Sequence, residues 1–180
     1  KTVRRQRQMC IRDRSYSELF LTSRIIDSLI IGLGSSSLTL IIGVYAGYYI
    51  SRVNFKFKRY LIISILSARM MPLVSIAIPI YFVYEKINLL DTYIGIIFVH
   101  TFINLPLAVL LLKSFFDEVP KQIDENAYID GASKIKILHK LVVPCAKSGI
   151  AVTFILSLIF SWTEFICALM IGQMLSLIHI

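Results

Sequence analysis

An all-α, polytopic membrane helical bundle is the fold class that three observations predict. Of the 180 residues, 57% are hydrophobic and only 17% charged, and the mean hydropathy of +0.75 is too high for an ordinary soluble domain of this length. Four charge-poor runs, 28–50, 60–84, 92–112 and 148–171, each reach the roughly 20 residues needed to cross about 30 Å of hydrocarbon. The loops between them share out lysine and arginine unequally, as short loops on the two sides of a membrane do.

The formal charge of +8 suggests a nucleic-acid or anionic-lipid partner, led by the opening KTVRRQRQMCIRDR. That opening reads as foreign. One set of codons for residues 9–14 (MCIRDR), ATG TGT ATA AGA GAC AG, is the reverse complement of one set for residues 175–180 (LSLIHI), CTG TCT CTT ATA CAC AT. A sequencing adapter joined in opposite orientations to the two ends of a DNA fragment produces such a pair. Residues 1–14 and 175–180 are therefore set aside as adapter-derived, which leaves 15–174 as a piece of a longer chain. The excluded opening holds six Lys or Arg and one Asp, five of the eight net charges. The rest is mildly basic, and no nucleic-acid partner is expected.

Taken in order, the first span carries Gly43 and Gly47 in GxxxG spacing, small residues that let membrane helices approach closely. The loop SRVNFKFKR holds four basic residues and no acid, so it belongs inside the cell. EKINLLD sets one Lys against Glu85 and Asp91 and belongs outside. The segment 113–147 carries six lysines and returns inside, which makes one topology consistent throughout. Within it, 117–147 reads as two short helices. Pro120 suits a first helical position, Ile123 and Ala127 fall four apart, and Asp130-Gly131 supplies a stop. Ser133 caps a second helix, with Ile135, Leu138, Leu141 and Val142 on one face and Pro144 as its end.

Two ionisable residues lie at membrane depth, where each costs at least about 2.5 kcal/mol and so faces a cavity or a partner. Arg69 sits roughly 14 Å and Glu164 roughly 24 Å above the inner ends of their spans, about 10 Å apart in depth. Structural satisfaction and lining of a pathway are both open to them. Asn104 and Pro106 in the third span, and Pro72 and Pro79 in the second, predict kinks or local unwinding of both, with Asn104 a third candidate for the pathway. His100 and His139 are isolated and lack any HExxH spacing. Cys145 and Cys167 have no metal or redox spacing, and Cys10 lies in the excluded end, so no metal or cofactor is expected. Tyr48, Tyr49, Tyr60, Tyr81 and Tyr84, near span ends, fit interfacial anchoring.

Glu125, Asn126, Ala127, Gly131 and Pro144 keep the spacing of the signature of ATP-binding-cassette (ABC) importer permeases: Glu-Ala-Ala, Gly four residues on, Pro thirteen further. Asn126 replaces the first Ala of that signature, and Leu141 and Val143 replace its usual Ile and Leu. ENAYIDGAS resembles the carbohydrate-uptake, MalG-like branch. So do ARMMPLVSIAIPIY, LLDTYIGIIFVHTFINLPLAVLLLKSFF and FSWTEFICAL, where Thr163 stands at a position the family usually fills with Asn. The resemblance covers residues 27–171. It implies six spans, of which this piece holds the second to the fifth. It implies a coupling helix around Glu125, Ala127, Asp130, Gly131 and Ala132, seated on a cytoplasmic ABC ATPase dimer, with Glu125 anchoring it and Gly131 making its bend. It also implies a second homologous permease subunit, an extracytoplasmic solute-binding protein and a bacterial or archaeal plasma membrane, with sugar as the cargo.

No phosphate-cradling G-x-x-x-x-G-K-[ST] run occurs, so the chain is not expected to be an enzyme and ATP must be hydrolysed by a partner. An intramembrane enzyme would need paired catalytic groups at depth, and none are visible. A membrane scaffold, or a permease for polyols, peptides, amino acids or phosphate, are the alternatives that the residues leave open.

Overall fold

The computed structural model describes residues 2–164, with side chains from residue 25 onward except those of 73 and 74. Among the described residues there are helices and turns and no strand. The long first helix, α1 (Thr2–Arg52), contains the membrane-length apolar stretch Ile25–Arg52. The other membrane-length helix is α4 (Tyr93–Glu118), which starts at Thr92, whose hydroxyl caps it by accepting from the Gly95 N–H.

α1 and α4 run parallel and in step. Three hydrogen bonds lace them: the Tyr93 hydroxyl donates to Asp27 Oδ1 (2.8 Å), Thr101 Oγ1 to the Ser35 carbonyl (3.3 Å), and Ser51 Oγ to Asp117 Oδ1 (2.6 Å). Each pair is 66 residues apart, so the register does not slip from one end to the other. The small residues expected to permit close packing do so. A Cβ on Gly43 would stand 2.9 Å from Leu112 Cδ1, and one on Gly47 would stand 3.1 Å from the Lys113 backbone nitrogen.

The second expected span is not one helix. It is α2 (Lys58–Arg69) and α3 (Leu73–Lys86), of 12 and 14 residues, each too short to cross alone. The break falls at Met70 to Pro72, because Pro72 holds φ −61°, ψ 127° and has no N–H to continue α2. Pro79, by contrast, stays inside α3. The unwinding expected in the third span is corrected outright. α4 passes through Asn104 and Pro106 without interruption, supported by α1 along its length and by Arg69, whose Nη1 donates to the Ile103 carbonyl at 3.0 Å.

α5 (Lys121–Ile129) follows Pro120, which stands one place earlier than expected, at the cap. The second short helix is also corrected. It is α6 (Lys134–Ile137), a π-helical turn (Leu138–Val142) and α7 (Val143–Cys145), so Pro144 lies within helical structure and does not end it. The widened turn has a physical cause. Pro144 cannot donate to the Lys140 carbonyl and its ring crowds that position, and a five-residue ring relieves both: the Val143 N–H bonds the Leu138 carbonyl. The chain then turns at Ala146 into α8 (Lys147–Thr163), with an 83° bend between 134–145 and 147–163. Gly149 of α8 is where this helix meets α4, so close that a Cβ there would overlap the Phe115 ring. The outer end of the fourth expected span, and Cys167 with it, lies outside the described residues.

Candidate functional site

The hairpin of α5 and α6 is amphipathic, and it is packed on one side only. Ile123, Ala127, Ala132, Ile137, Leu138 and Val142 join Leu112 and Phe116 of α4 and Val44 of α1 in a single apolar cluster. The inward face differs from the expected one: Leu138 and Val142 are buried, but Ile135 and Leu141 point outward and Ile137 takes the inner position. The π turn explains the change, since five residues separate Ile137 from Val142 where a regular turn would place them off one face.

The bend between α5 and α6 is made by Gly131, at φ +77° with nothing within 4 Å of where a Cβ would sit. The glycine is thus required by backbone conformation, not by space. Ser133 Oγ accepts from the Lys136 N–H, the cap that the spacing predicts.

An ion pair fastens this hairpin to the membrane body. Arg52 at the end of α1 pairs with Asp124 of α5, and its Nη2 donates to the Val119 carbonyl at 3.1 Å. Both side chains are largely buried, 11% and 16% exposed, and the guanidinium lies 5.9 Å from the Tyr48 ring centre. Beside it Asp117 takes hydrogen bonds from Ser51 and Lys113. On the other side, His139 in the π turn meets α1 through Nε2 and the Tyr45 hydroxyl, 2.9 Å apart. Sequence reasoning missed Arg52 and Asp124. A visible signal existed, in that a lone arginine closes an apolar run and an acid stands next to the signature Glu.

Glu125, expected to anchor the hairpin by polar contact with an ATPase or the neighbouring loop, is exposed, and its predecessor Asp124 is the residue that reaches a neighbouring helix. Asp130 and Gly131 are exposed as well, Ala132 is half-buried against the cluster, and Pro144 is exposed. Around them the hairpin presents Tyr128 (61% exposed), Ile129 (84%) and Ile135 (66%).

A second feature lies at membrane depth. A cavity of about 940 Å³ opens among α1, α2, α3 and α4, walled mainly by aliphatic and aromatic groups, with Arg69 and Glu164 in its lining. Two of the three pathway candidates therefore meet in one space. The Arg69 guanidinium is held by the Ile103 carbonyl and stands 5.0 Å from the Phe160 ring centre. Asn104, the third, does not line this cavity. It is buried on the same face of α4 as His100, which belongs to a polar seam where Ser161 Oγ lies 2.8 Å from Ser35 Oγ and 3.2 Å from His100 Nδ1. That seam was legible in principle, since Ser and Thr recur three or four residues apart in α1 and α8. Of the tyrosines, Tyr49 and Tyr60 are exposed, as anchors must be, whereas Tyr48 packs edge-on to Phe116 and the Tyr84 hydroxyl bonds the Gly95 carbonyl.

Laced apolar helices, a broken second span and a half-packed hairpin beside the basic loop define a polytopic membrane protein. The chain belongs to the family of binding-protein-dependent transport system inner membrane components, which it matches over residues 39–178. It is 32% identical over 156 residues to the sulfoquinovosyl glycerol transport system permease protein SmoH of Agrobacterium fabrum, covering 87% of this chain and 55% of that one. With the trehalose transport system permease protein SugB of Mycobacterium tuberculosis it shares 34% over 148 residues, 82% of this chain and 54% of the other. The chain thus spans about half the length of these relatives. The fold is similar to that in a crystal structure of a bacterial ABC transporter that imports the polysaccharide alginate, with a TM-score of 0.69, 23% identity and coverage of 81% of this chain and 51% of that one.

Proposed function

We propose that this chain is part of a permease subunit of an ATP-driven importer for sugars, and that its hairpin transmits the work of a separate ATPase to the membrane helices. The observation that carries this reading is the one-sided packing of the hairpin. Its inner face is fixed to α1 and α4 by the apolar cluster and by Arg52–Asp124, while Tyr128, Ile129 and Ile135 stand exposed beside Glu125 on the cytoplasmic side. Water is a poor partner for three such side chains at the tip of an arm, and an ATPase cleft is a good one. A cytoplasmic ATPase dimer, a second homologous permease subunit and an extracytoplasmic binding protein complete the machine in a bacterial or archaeal plasma membrane. Sugar is favoured over polyols, peptides, amino acids or phosphate because the relatives named above serve a sulfoquinovosyl glycerol and trehalose.

The test is ATP-linked uptake by the assembled importer. Gly131→Pro should abolish uptake while the protein still inserts at normal abundance, and persisting uptake would remove the coupling role. A graded series checks the cause. Gly131→Asn should be tolerated, since asparagine enters the left-handed region readily, whereas Gly131→Val should cost about 1–2 kcal/mol and uncouple the hairpin.

The cavity that holds Arg69 and Glu164 supports a place on the translocation pathway for both. Arg69→Met and Glu164→Gln should each lower uptake with little change in abundance, and unchanged transport in both would sink that assignment. The two chain ends remain read as adapter-derived, although the family match takes in residues 175–178. Long-read sequencing of the source DNA should replace MCIRDR and LSLIHI by other sequence, and finding both in the genome would overturn that reading.

A further inference from the structure

The loop from α1 to α2 lies at the cytoplasmic end of the bundle, beside the Ser51–Asp117 bond. Residues 52–59 hold four basic side chains and no acid. Two of the four are occupied: Arg52 turns inward to Asp124, and Lys58 Nζ donates to the Ser51 carbonyl at 3.3 Å. Lys56 and Arg59 are exposed and make no ion pair among the described residues. Beside them an open cavity of about 600 Å³ is lined by Phe55, Lys56, Lys58, Arg59, Ile62 and Ile63, three basic side chains and three apolar ones.

The neighbouring surface has the same polarity. Phe57 at the cap of α2, and Tyr60, Ile63 and Leu66 within it, are all exposed, so apolar surface continues from the loop along this helix. Aromatic groups stand at its cytoplasmic end and aliphatic ones further in, which is the order that a lipid leaflet selects, interface before hydrocarbon. Cations set at the level of that interface face the anionic headgroups of the cytoplasmic leaflet.

We propose that this pocket binds the phosphate headgroup of an anionic phospholipid, with Lys56 and Arg59 on the phosphate and Ile62 and Ile63 against the first part of the acyl chains. Two exposed cations in the same lining as two isoleucines match both parts of such a lipid. A soluble anion would use only the cations, and a zwitterionic lipid would carry its own compensating charge to them. The inference rests on the topology that puts this loop inside the cell, but it needs no transport. Lipid retention therefore tests it separately from the import reading.

The experiment is native mass spectrometry of the assembled importer released from nanodiscs of mixed phosphatidylglycerol and phosphatidylcholine. The wild type should retain phosphatidylglycerol preferentially. Lys56→Gln/Arg59→Gln should lose that preference by about tenfold, Arg59→Gln alone should lose part of it, and Lys121→Gln/Lys147→Gln, an equal loss of exposed charge on the same side, should keep it. Equal retention in wild type and the Lys56/Arg59 variant would overturn the proposal, as would an equal loss in the Lys121/Lys147 control, which would mean diffuse attraction without a site. Loss of the ATPase subunit from the Lys56/Arg59 variant with its lipid retained would also overturn it and assign the loop to a protein contact.

Discussion

Asp124→Ala should release the hairpin from the membrane body and, if the proposed coupling role holds, uncouple ATP hydrolysis from uptake. The deletion leaves the Arg52 guanidinium in a largely buried position, bonded to the Val119 carbonyl and near the Tyr48 ring but without its paired carboxylate. An unpaired buried charge is the expensive outcome, about 3–5 kcal/mol where burial is complete, and about 2–3 kcal/mol here because both partners keep some solvent contact. The effect should be local. Amide exchange should speed up across residues 121–142 and stay slow in α1 and α4. Arg52→Met should behave similarly, and the double variant Arg52→Met/Asp124→Leu should recover part of the loss, because no charge is then stranded. Additive losses in the double variant, or unchanged exchange in the hairpin, would show that the pair does not hold the arm.

Gly149→Val should cause the largest loss of membrane abundance of any single change considered for this chain. An added Cβ at this position overlaps the Phe115 ring, so α8 must move away from α4 or the ring must leave its place. Overpacking of this kind costs about 1–3 kcal/mol where side chains adjust, and more where a ring and a backbone collide. Membrane helices gain little from hydrophobicity once inserted, so close contact between α4 and α8 is most of what keeps them together. Phe115→Ala should restore much of the abundance of Gly149→Val. Gly43→Val should be milder, since the obstacle there is Leu112 Cδ1, the far end of a flexible side chain. Wild-type abundance of Gly149→Val would mean that α8 does not pack where it is described.

The parts of this fold that were legible in the sequence are the local ones. Four apolar runs, a basic loop at 51–59 and the Pro120, Gly131 and Ser133 punctuation follow from hydropathy and backbone preference, and α4, α5 and the αL bend stand close to their expected places. Proline was the ambiguous signal. Pro72 breaks a helix that has 12 residues on one side and 14 on the other, Pro106 does not break α4, and Pro144 widens a turn. A proline's position in the sequence does not show which outcome follows, because that depends on how the surrounding structure meets the groups it frees. The site divides in the same way. Gly131 was legible because its backbone angle is a local requirement. Asp124 was not, because its partner is 72 positions away and only the parallel register of α1 and α4 brings them together. The burial of Asn104 away from the cavity of Arg69 and Glu164 was not legible for the same reason: depth can be counted along a chain, but facing cannot.

That register also has a mechanical meaning. From Asp27 to Ser51 and from Tyr93 to Asp117 the chain advances by the same 24 positions, about 36 Å of helix. Two rods of equal length, joined at both ends and a third of the way along, resist sliding and bending far better than either alone, and so behave as one beam. A beam fixed to the hairpin at its inner end turns small rotations into useful travel: a tilt of about 5° at the cytoplasmic surface carries the outer tip sideways by about 3 Å over that length. The two ends of this helix pair are thus linked by stiffness.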